Sequence, residues 1–268
     1  MNTSPNPIPA GSIQRDPVIQ LHNINQRFKT PTGQIVTALQ GVDLDVYPGE
    51  FVSLIGPSGC GKSTLLRIVA DLLSPSDGTV IVNGKSAHDA RLARDYGIVF
   101  QTPVLYDWRS VQKNVELPLE IIKQPAPQRA ARAREMLALV ELSDFASHYP
   151  WQLSGGMQQR VAIARALTFE PAILLMDEPF GALDEMTRER MNIELLKIWD
   201  KTKNTTLFIT HSIQEAVYLS SRVVIMAPRP GRIVKDVPID LPYPRAPEIR
   251  DTEAFFHLVS EVRGGLRG

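Results

Sequence analysis

The chain has 268 residues, enough to bury a sizeable core in one large domain or two small ones. Hydrophobic residues at 43% against charged ones at 22% exclude a chain disordered throughout. Lys plus Arg and Asp plus Glu stand at 29 each, which leaves no basic excess for neutralising a phosphate backbone, so no nucleic-acid partner is expected.

Residues 1–17, MNTSPNPIPAGSIQRDP, are polar and proline-rich without an apolar signal core, and read as a disordered lead-in. VIQLHNINQRF (18–28) and TALQGVDLDVYPG (37–49) alternate apolar and polar residues as half-buried strands do, and read as an antiparallel opening pair. FVSLIG (51–56) is instead a short continuous apolar run that feeds into glycines and then into the helical STLLRIVADLL. TVIVNGKSA (79–87) predicts a strand and an Asn-Gly turn, and YGIVFQ (96–101) another short strand. From about 102 to 165 the pattern changes to helical spacing, clearest in QRAARAREMLALVEL (128–142), and reads as a mostly helical insertion.

PAILLMDEP (171–179) and TLFITHS (206–212) restore buried, parallel-type strands around the helix MTRERMNIELLKIWDKT. VVIMAPRPGRIVKDVPIDL (223–241) predicts a hairpin-like pair about Arg-Pro-Gly. Residues 242–268 are too few for another independent domain and read as an exposed segment with one short helix. The single cysteine, Cys60, cannot form an internal disulfide and suits a reducing compartment; it reads as a small packing residue. No apolar run approaches the ~18–20 residues that cross a bilayer, so a cytosolic protein is expected, with any membrane role exercised through a partner.

The chemistry is concentrated in five places. GPSGCGKST, with Gly56, Pro57, Ser58, Gly59, Cys60, Gly61, Lys62, Ser63 and Thr64, follows a strand and opens a helix, the setting a phosphate-binding loop requires. Its glycines let backbone amides wrap a phosphate, Lys62 reaches the β- and γ-phosphates, Ser63 offers its hydroxyl to Mg²⁺, and the helix adds its positive dipole end. A nucleoside triphosphate with Mg²⁺ is the expected ligand. ILLMDEP places Asp177 and Glu178 at the C-terminal edge of a buried strand, Asp177 to orient the metal and Glu178 to accept a proton from an attacking water. His211 ends the TLFIT strand, which sheet topology would set beside Asp177 and near a γ-phosphate, and Gln101 after YGIVF could touch Mg²⁺ or the attacking water. Finally, Ser154-Gly155-Gly156 in LSGGMQQR opens a helix and makes a second anion site on the helical insertion.

In this order the motifs resemble the ATP-binding cassette family of transport ATPases over nearly all of residues 18–240. The resemblance makes Phe28 the ring that stacks on adenine, GPSGCGKST Walker A, Gln101 the Q-loop, LSGGM the signature, ILLMDE Walker B, GALD (181–184) the D-loop and His211 the switch histidine. It implies an α/β fold of the P-loop NTPase, ABC-ATPase type: a RecA-like core with an antiparallel β subdomain and a helical subdomain. The core would take in residues 18–101, with that β subdomain, and 166–241; the helical subdomain would be 102–165 and the tail 242–268. The resemblance also implies a head-to-tail homodimer that holds ATP between Walker A of one subunit and the signature of the other, on the cytoplasmic face of a membrane. A transmembrane permease would dock at the groove around Gln101 and VLYDW (104–108), with a solute-binding protein acting indirectly.

Within the family, ALQGVDLDVYPGEFVSLIGPSGCGKSTLLRIVADLL, VFQTPVLYDWRSVQKNVELPLE, MDEPFGALDEMTR and MAPRPGRIVKDVPIDLPYPR are similar to the nitrate/sulfonate/taurine importer ATPases. Related subunits serve riboflavin, thiamine precursors or other heterocycles, and exporter ATPases share the cassette, so the solute stays open. Phe28 stands where the family often has tyrosine and keeps the π-face. The resemblance does not extend to the extra C-terminal regulatory domain of sugar-importer ATPases, so sensing by such a domain is not expected.

Overall fold

The structure, a computed structural model, describes residues 16–267, so the lead-in expectation for 1–17 falls almost wholly outside the described residues. In chain order the strands and helices are β1 (Ile19–Lys29), β2 (Ile35–Val46), β3 (Phe51–Ile55), α1 (Lys62–Val69), β4 (Asp77–Val82), β5 (Lys85–Ser86), α2 (Ala87–Ala93) and β6 (Tyr96–Val99). Then follow α3 (Val111–Ile121), α4 (Ala126–Leu139), α5 (Gly155–Leu167), β7 (Ile173–Asp177), α6 (Glu185–Thr202), β8 (Thr205–Ile209), α7 (Ile213–Leu219), β9 (Arg222–Ala227), β10 (Arg232–Pro238) and α8 (Glu253–Arg267).

The alternating opening segments form an antiparallel sheet of order β2-β1-β4-β5. Ile19, Leu21 and Ile24 of β1 are fully buried, and the register shifts beyond Leu21, beside Asn23 with φ +50°. Asn83 and Gly84 both take positive φ, 51° and 72°, as a two-residue hairpin turn of the primed type needs.

The continuous apolar runs build the second sheet, β10-β9-β3-β8-β7-β6, parallel from β9 to β6 with β10 antiparallel at its edge. All five residues of β3 are buried, because that strand has neighbours on both sides and apolar layers on both faces. Successive side chains of a strand face opposite ways. Phe51 and Ile55 therefore enter one apolar cluster with Met176, Phe180 and Phe208, while Val52 and Leu54 enter the other with Leu175, Leu207 and Ile209, against the antiparallel sheet.

The helices α3, α4 and α5 pack on one another through Val111, Val115, Ala133, Leu137 and Val161, all buried. Pro118 lies inside α3 and removes the amide that would bond the Asn114 carbonyl, yet the buried stripe holds the helix together.

The tail is not the exposed segment with a short helix that its length suggests. Its helix α8 runs 15 residues, and Phe255, Val259 and Val262 are buried in the core. Full burial of such side chains is worth ~1.5–3 kcal/mol each, which is why the tail folds back. Among the described residues no helix is long and apolar enough to cross a membrane.

Candidate functional site

The parallel strands all run toward one edge of the sheet, and each delivers part of a site there. After β3, a Cβ on Gly56 would lie 2.5 Å from the Met226 carbonyl oxygen and 2.7 Å from Cys60 Sγ, so only glycine fits. Pro57, Ser58, Gly59 and Cys60 turn the chain; Gly61, with φ +98°, begins α1, and a side chain on it would meet Leu39 Cδ2 at 2.5 Å. The first amides of a helix have no intrahelical acceptor. Here they open, at Lys62, Ser63 and Thr64, onto a cleft of about 330 Å³ that Ser58, Gly59, Glu178 and His211 also line.

Lys62 is only 5% exposed, and its Nζ donates to the Gly56 carbonyl at 2.8 Å and the Pro57 carbonyl at 3.2 Å. Cys60 is fully buried with its Sγ 3.8 Å from that ammonium, a position for packing. The Ser63 hydroxyl donates to Asp177 Oδ1 at 2.7 Å, joining the loop to the end of β7. Burial pushes the Asp177 carboxyl above its ordinary pKa, the Ser63 hydrogen bond opposes that shift, and the Glu178 charge adds to it. Among the described residues no three His, Cys, Asp or Glu side chains gather into a metal cage. One carboxylate beside one hydroxyl is nevertheless the donor set that suits Mg²⁺, which keeps several waters and shares a substrate's phosphate oxygens.

Glu178 has φ +45°, a left-handed backbone that costs a residue with a Cβ, and its amide donates to the Ile209 carbonyl at 3.0 Å. That turn aims its carboxylate into the cleft. His211, expected beside Asp177, makes its contact one residue further on: its Nδ1 lies 3.4 Å from Glu178 Oε2, because Ile209 is already opposite Asp177 in the ladder. The His211 corner is fixed from behind. Thr210 Oγ1 accepts from the Ser212 amide at 3.0 Å and donates to the buried Glu215 carboxyl, while Ser212 caps α7 by accepting from the Glu215 amide at 3.3 Å.

Gln101 is exposed just beyond β6. A Cβ on Gly181 would lie 3.0 Å from its Nε2 and 3.5 Å from Glu178 Oε2, so Gln101 and Glu178 flank the same glycine. Phe28 is not among the cleft residues; it is 41% exposed near the C-terminal end of β1.

Ser154, Gly155 and Gly156 begin α5, with the Ser154 hydroxyl accepting from the Met157 amide at 3.3 Å. Ser154 and Gly156 line a different cleft, of about 310 Å³, with Arg160, Arg190 and Glu194, and no residue is common to the two clefts. Gly156 has a packing reason as well, since its Cβ would press on Thr187 at 3.3 Å and Met191 at 3.4 Å.

Three connections lie beyond what the motifs indicate. Gln159 of α5 donates to the Phe100 carbonyl at 2.9 Å, and Arg165 donates to Pro103 and Val104, each at 2.8 Å, so the helix that begins at Ser154 grips the segment around Gln101. Next to that segment, Tyr106, Trp108 and Tyr149 edge a shallow hollow of about 630 Å³, with Trp108 at 76% exposure. Asn114, fully buried, pins the hollow's loop by hydrogen bonds to Tyr106, Arg109 and Ser110. Lastly, the tip of the β9–β10 hairpin underlies the glycine loop: Gly231 donates to Ala38 at 2.9 Å, and a Cβ on it would fall 2.1 Å from the Cys60 carbonyl. The Gln159, Arg165 and Gly231 contacts join residues far apart in the chain, so no local pattern marks them.

Known proteins resemble this chain in sequence and in fold. The family model described as ABC transporter matches residues 39–181. An uncharacterized ABC transporter ATP-binding protein of Methanocaldococcus jannaschii is 50% identical over 227 residues, 85% of this chain and 84% of that protein. A taurine import ATP-binding protein of Jannaschia sp. is 47% identical over 218 residues, 81% of each. Among solved structures, a dimeric post-hydrolysis state of an ATP-binding cassette bound to ADP and phosphate superposes with a TM-score of 0.72 at 37% identity, covering 83% of this chain and 99% of that one.

Proposed function

The chain belongs to the ABC transporter family, and from that premise we propose that it is the ATP-hydrolysing subunit of an importer for a small solute of the nitrate/sulfonate/taurine type. One observation carries the ATPase reading: Lys62, Ser63, Glu178 and His211, drawn from three strand ends, line a single cleft at the amino end of α1. The loop amides and the Lys62 ammonium bind the phosphates, and Phe28 offers its face to adenine. Ser63 and Asp177 would hold Mg²⁺, with Gln101 at its outer side; when bound, the ion neutralises charge on the phosphate oxygens. As water oxygen attacks the γ-phosphorus and the bond to the leaving ADP oxygen breaks, Glu178 takes the water's proton. His211, already within reach of Glu178, donates to the γ-phosphate. A water-activating base of this kind contributes ~10²–10⁴-fold in rate.

A head-to-tail pair is supported by the separation of the two clefts. Ser154, Gly155 and Gly156 stand apart from Lys62 in their own chain, so they serve a phosphate only by meeting the loop of a second copy. The exposed aromatic hollow at Tyr106, Trp108 and Tyr149 supports a seat there for a short helix of a membrane permease, and with it a place on the cytoplasmic face. ATP favours the closed pair and hydrolysis removes that preference, so the grip of α5 on residues 100–104 carries closure to the permease. The solute class rests on the taurine import relative and on the tail similarity, and a separate solute-binding protein would select it.

The test is reconstitution with the permease and solute-binding protein encoded beside it, following labelled taurine, an alkanesulfonate and nitrate into cells that lack their own carriers. Uptake of one of these that needs the chain supports the proposal. ATP hydrolysis without uptake of any of them overturns the solute class, and absence of hydrolysis overturns the ATPase reading.

A further inference from the structure

We propose that Arg245 is a positioning residue for the catalytic cleft: together with Tyr243 it caps the C-terminal end of α7 and, through that short helix, fixes His211. The proposal rests on the ATPase reading above. The last carbonyls of a helix have no intrahelical donor. At the end of α7 those of Val217, Tyr218, Leu219 and Ser220 are all bonded by the PYPR segment of the tail. Arg245 Nη1 shares its two protons among Val217 at 3.0 Å, Tyr218 at 2.9 Å and Ser220 at 2.9 Å, and the Tyr243 hydroxyl donates to Leu219 at 2.7 Å. Arg245 Nη2 closes on the Leu241 carbonyl at 3.1 Å, and the Tyr218 hydroxyl donates back to the Arg245 carbonyl at 3.0 Å.

Arg245 is 4% exposed, with the Tyr243 ring 4.0 Å from the centre of its guanidinium. Among the described residues it makes no ion pair with a carboxylate. A buried cation is costly to desolvate, and its compensation here is the negative end of the α7 dipole. That arrangement makes the tail a mount for one helix end.

The opposite end of that helix is the corner of the cleft. Seven residues span ~10 Å, and so short a helix does not stand without tertiary support. Ser212, its cap, follows His211 directly, so an axial slip of α7 moves the imidazole relative to Glu178 by a similar amount. Misplacement by ~1 Å can cost ~10²-fold in rate. None of the α7 carbonyls at 217–220 needs such a mount for the nucleotide itself to bind, because Lys62 and the loop amides are held independently by β3 and the Gly231 tip.

The experiment is steady-state MgATP hydrolysis by the full chain carrying Arg245→Met, Arg245→Lys, Tyr243→Phe and His211→Ala, alone and in pairs. Arg245→Met is expected to lower kcat about tenfold or more with KM for ATP within about twofold of wild type. Its effect should nearly vanish in a His211→Ala background, because both changes remove the same placed imidazole. Arg245→Lys should recover part of kcat, and Tyr243→Phe should act as a weaker Arg245→Met. A folded Arg245→Met with unchanged kcat, or a loss that multiplies with that of His211→Ala, overturns the proposal. If Arg245→Met does not fold, Tyr243→Phe decides by the same two criteria. A wild-type chain that hydrolyses no ATP removes the premise instead.

Discussion

Glutamine at position 178 is the most selective perturbation of the cleft. Glu178→Gln exchanges a carboxylate oxygen for an amide nitrogen, while the backbone turn at φ +45°, the amide bond to Ile209 and the adjoining Ser63–Asp177 pair all stay. An amide does not take a proton from water at neutral pH. The loss is therefore the general-base contribution, ~10²–10⁴-fold, or about 2.7–5.4 kcal/mol on the barrier. The ground-state grip on ATP comes from Lys62 and the loop amides, so nucleotide affinity should stay within about threefold. With closure intact and hydrolysis blocked, an ATP-bound pair should accumulate. Phosphate release gives kcat, a fluorescent nucleotide gives affinity, and light scattering gives mass with saturating MgATP. Hydrolysis within about fivefold of wild type would refute the general-base role, and a monomeric mass with bound ATP would refute the pair.

Ser154→Arg places a long cation at the start of α5 and should abolish hydrolysis while sparing ATP binding; if affinity vanishes too, Ser154 belongs to its own chain's site. Asp177→Asn should raise the Tm of the nucleotide-free protein near neutral pH. The sign follows from a folded-state pKa that burial has pushed up: the contribution to stability is full below the unfolded value, ~3.9, and lost as pH rises through the folded one. The gain should therefore fade below that pH, and Mg²⁺-dependent nucleotide binding should weaken at every pH. An Asn variant less stable than wild type in neutral buffer would contradict the assigned burial cost.

How much of this was legible in the sequence depended on distance along the chain. GPSGCGKST carries its own turn chemistry, and Asn83-Gly84 its own hairpin, so both could be read directly. Glu178 was visible as a carboxylate after a buried strand, but its left-handed backbone was not, because the bond to Ile209 that holds it comes from another strand. In α3, Pro118 and the polar Asn114 obscured the helix, whose support is packing from α4 and α5. Phe255, Val259 and Val262 did carry a helical spacing, and the brevity of the tail concealed that they had a core to enter. Arg245 ends the tail stretch that carries the subgroup similarity, but nothing local marked its role, since its acceptors are backbone carbonyls, which every sequence supplies.

The position of β3 in its sheet has a consequence in time. The strand that leads into the glycine loop lies between β8 and β9, and Phe51 exchanges hydrogen bonds with Ser221, 170 residues later. During synthesis at ~5–20 residues per second, that stretch takes on the order of ten to thirty seconds to appear. For most of it the strand before the loop has neither ladder neighbour, since β8 begins at Thr205 and β9 at Arg222, and the Gly231 tip comes later still. A nascent chain therefore has no finished nucleotide site until translation is nearly over.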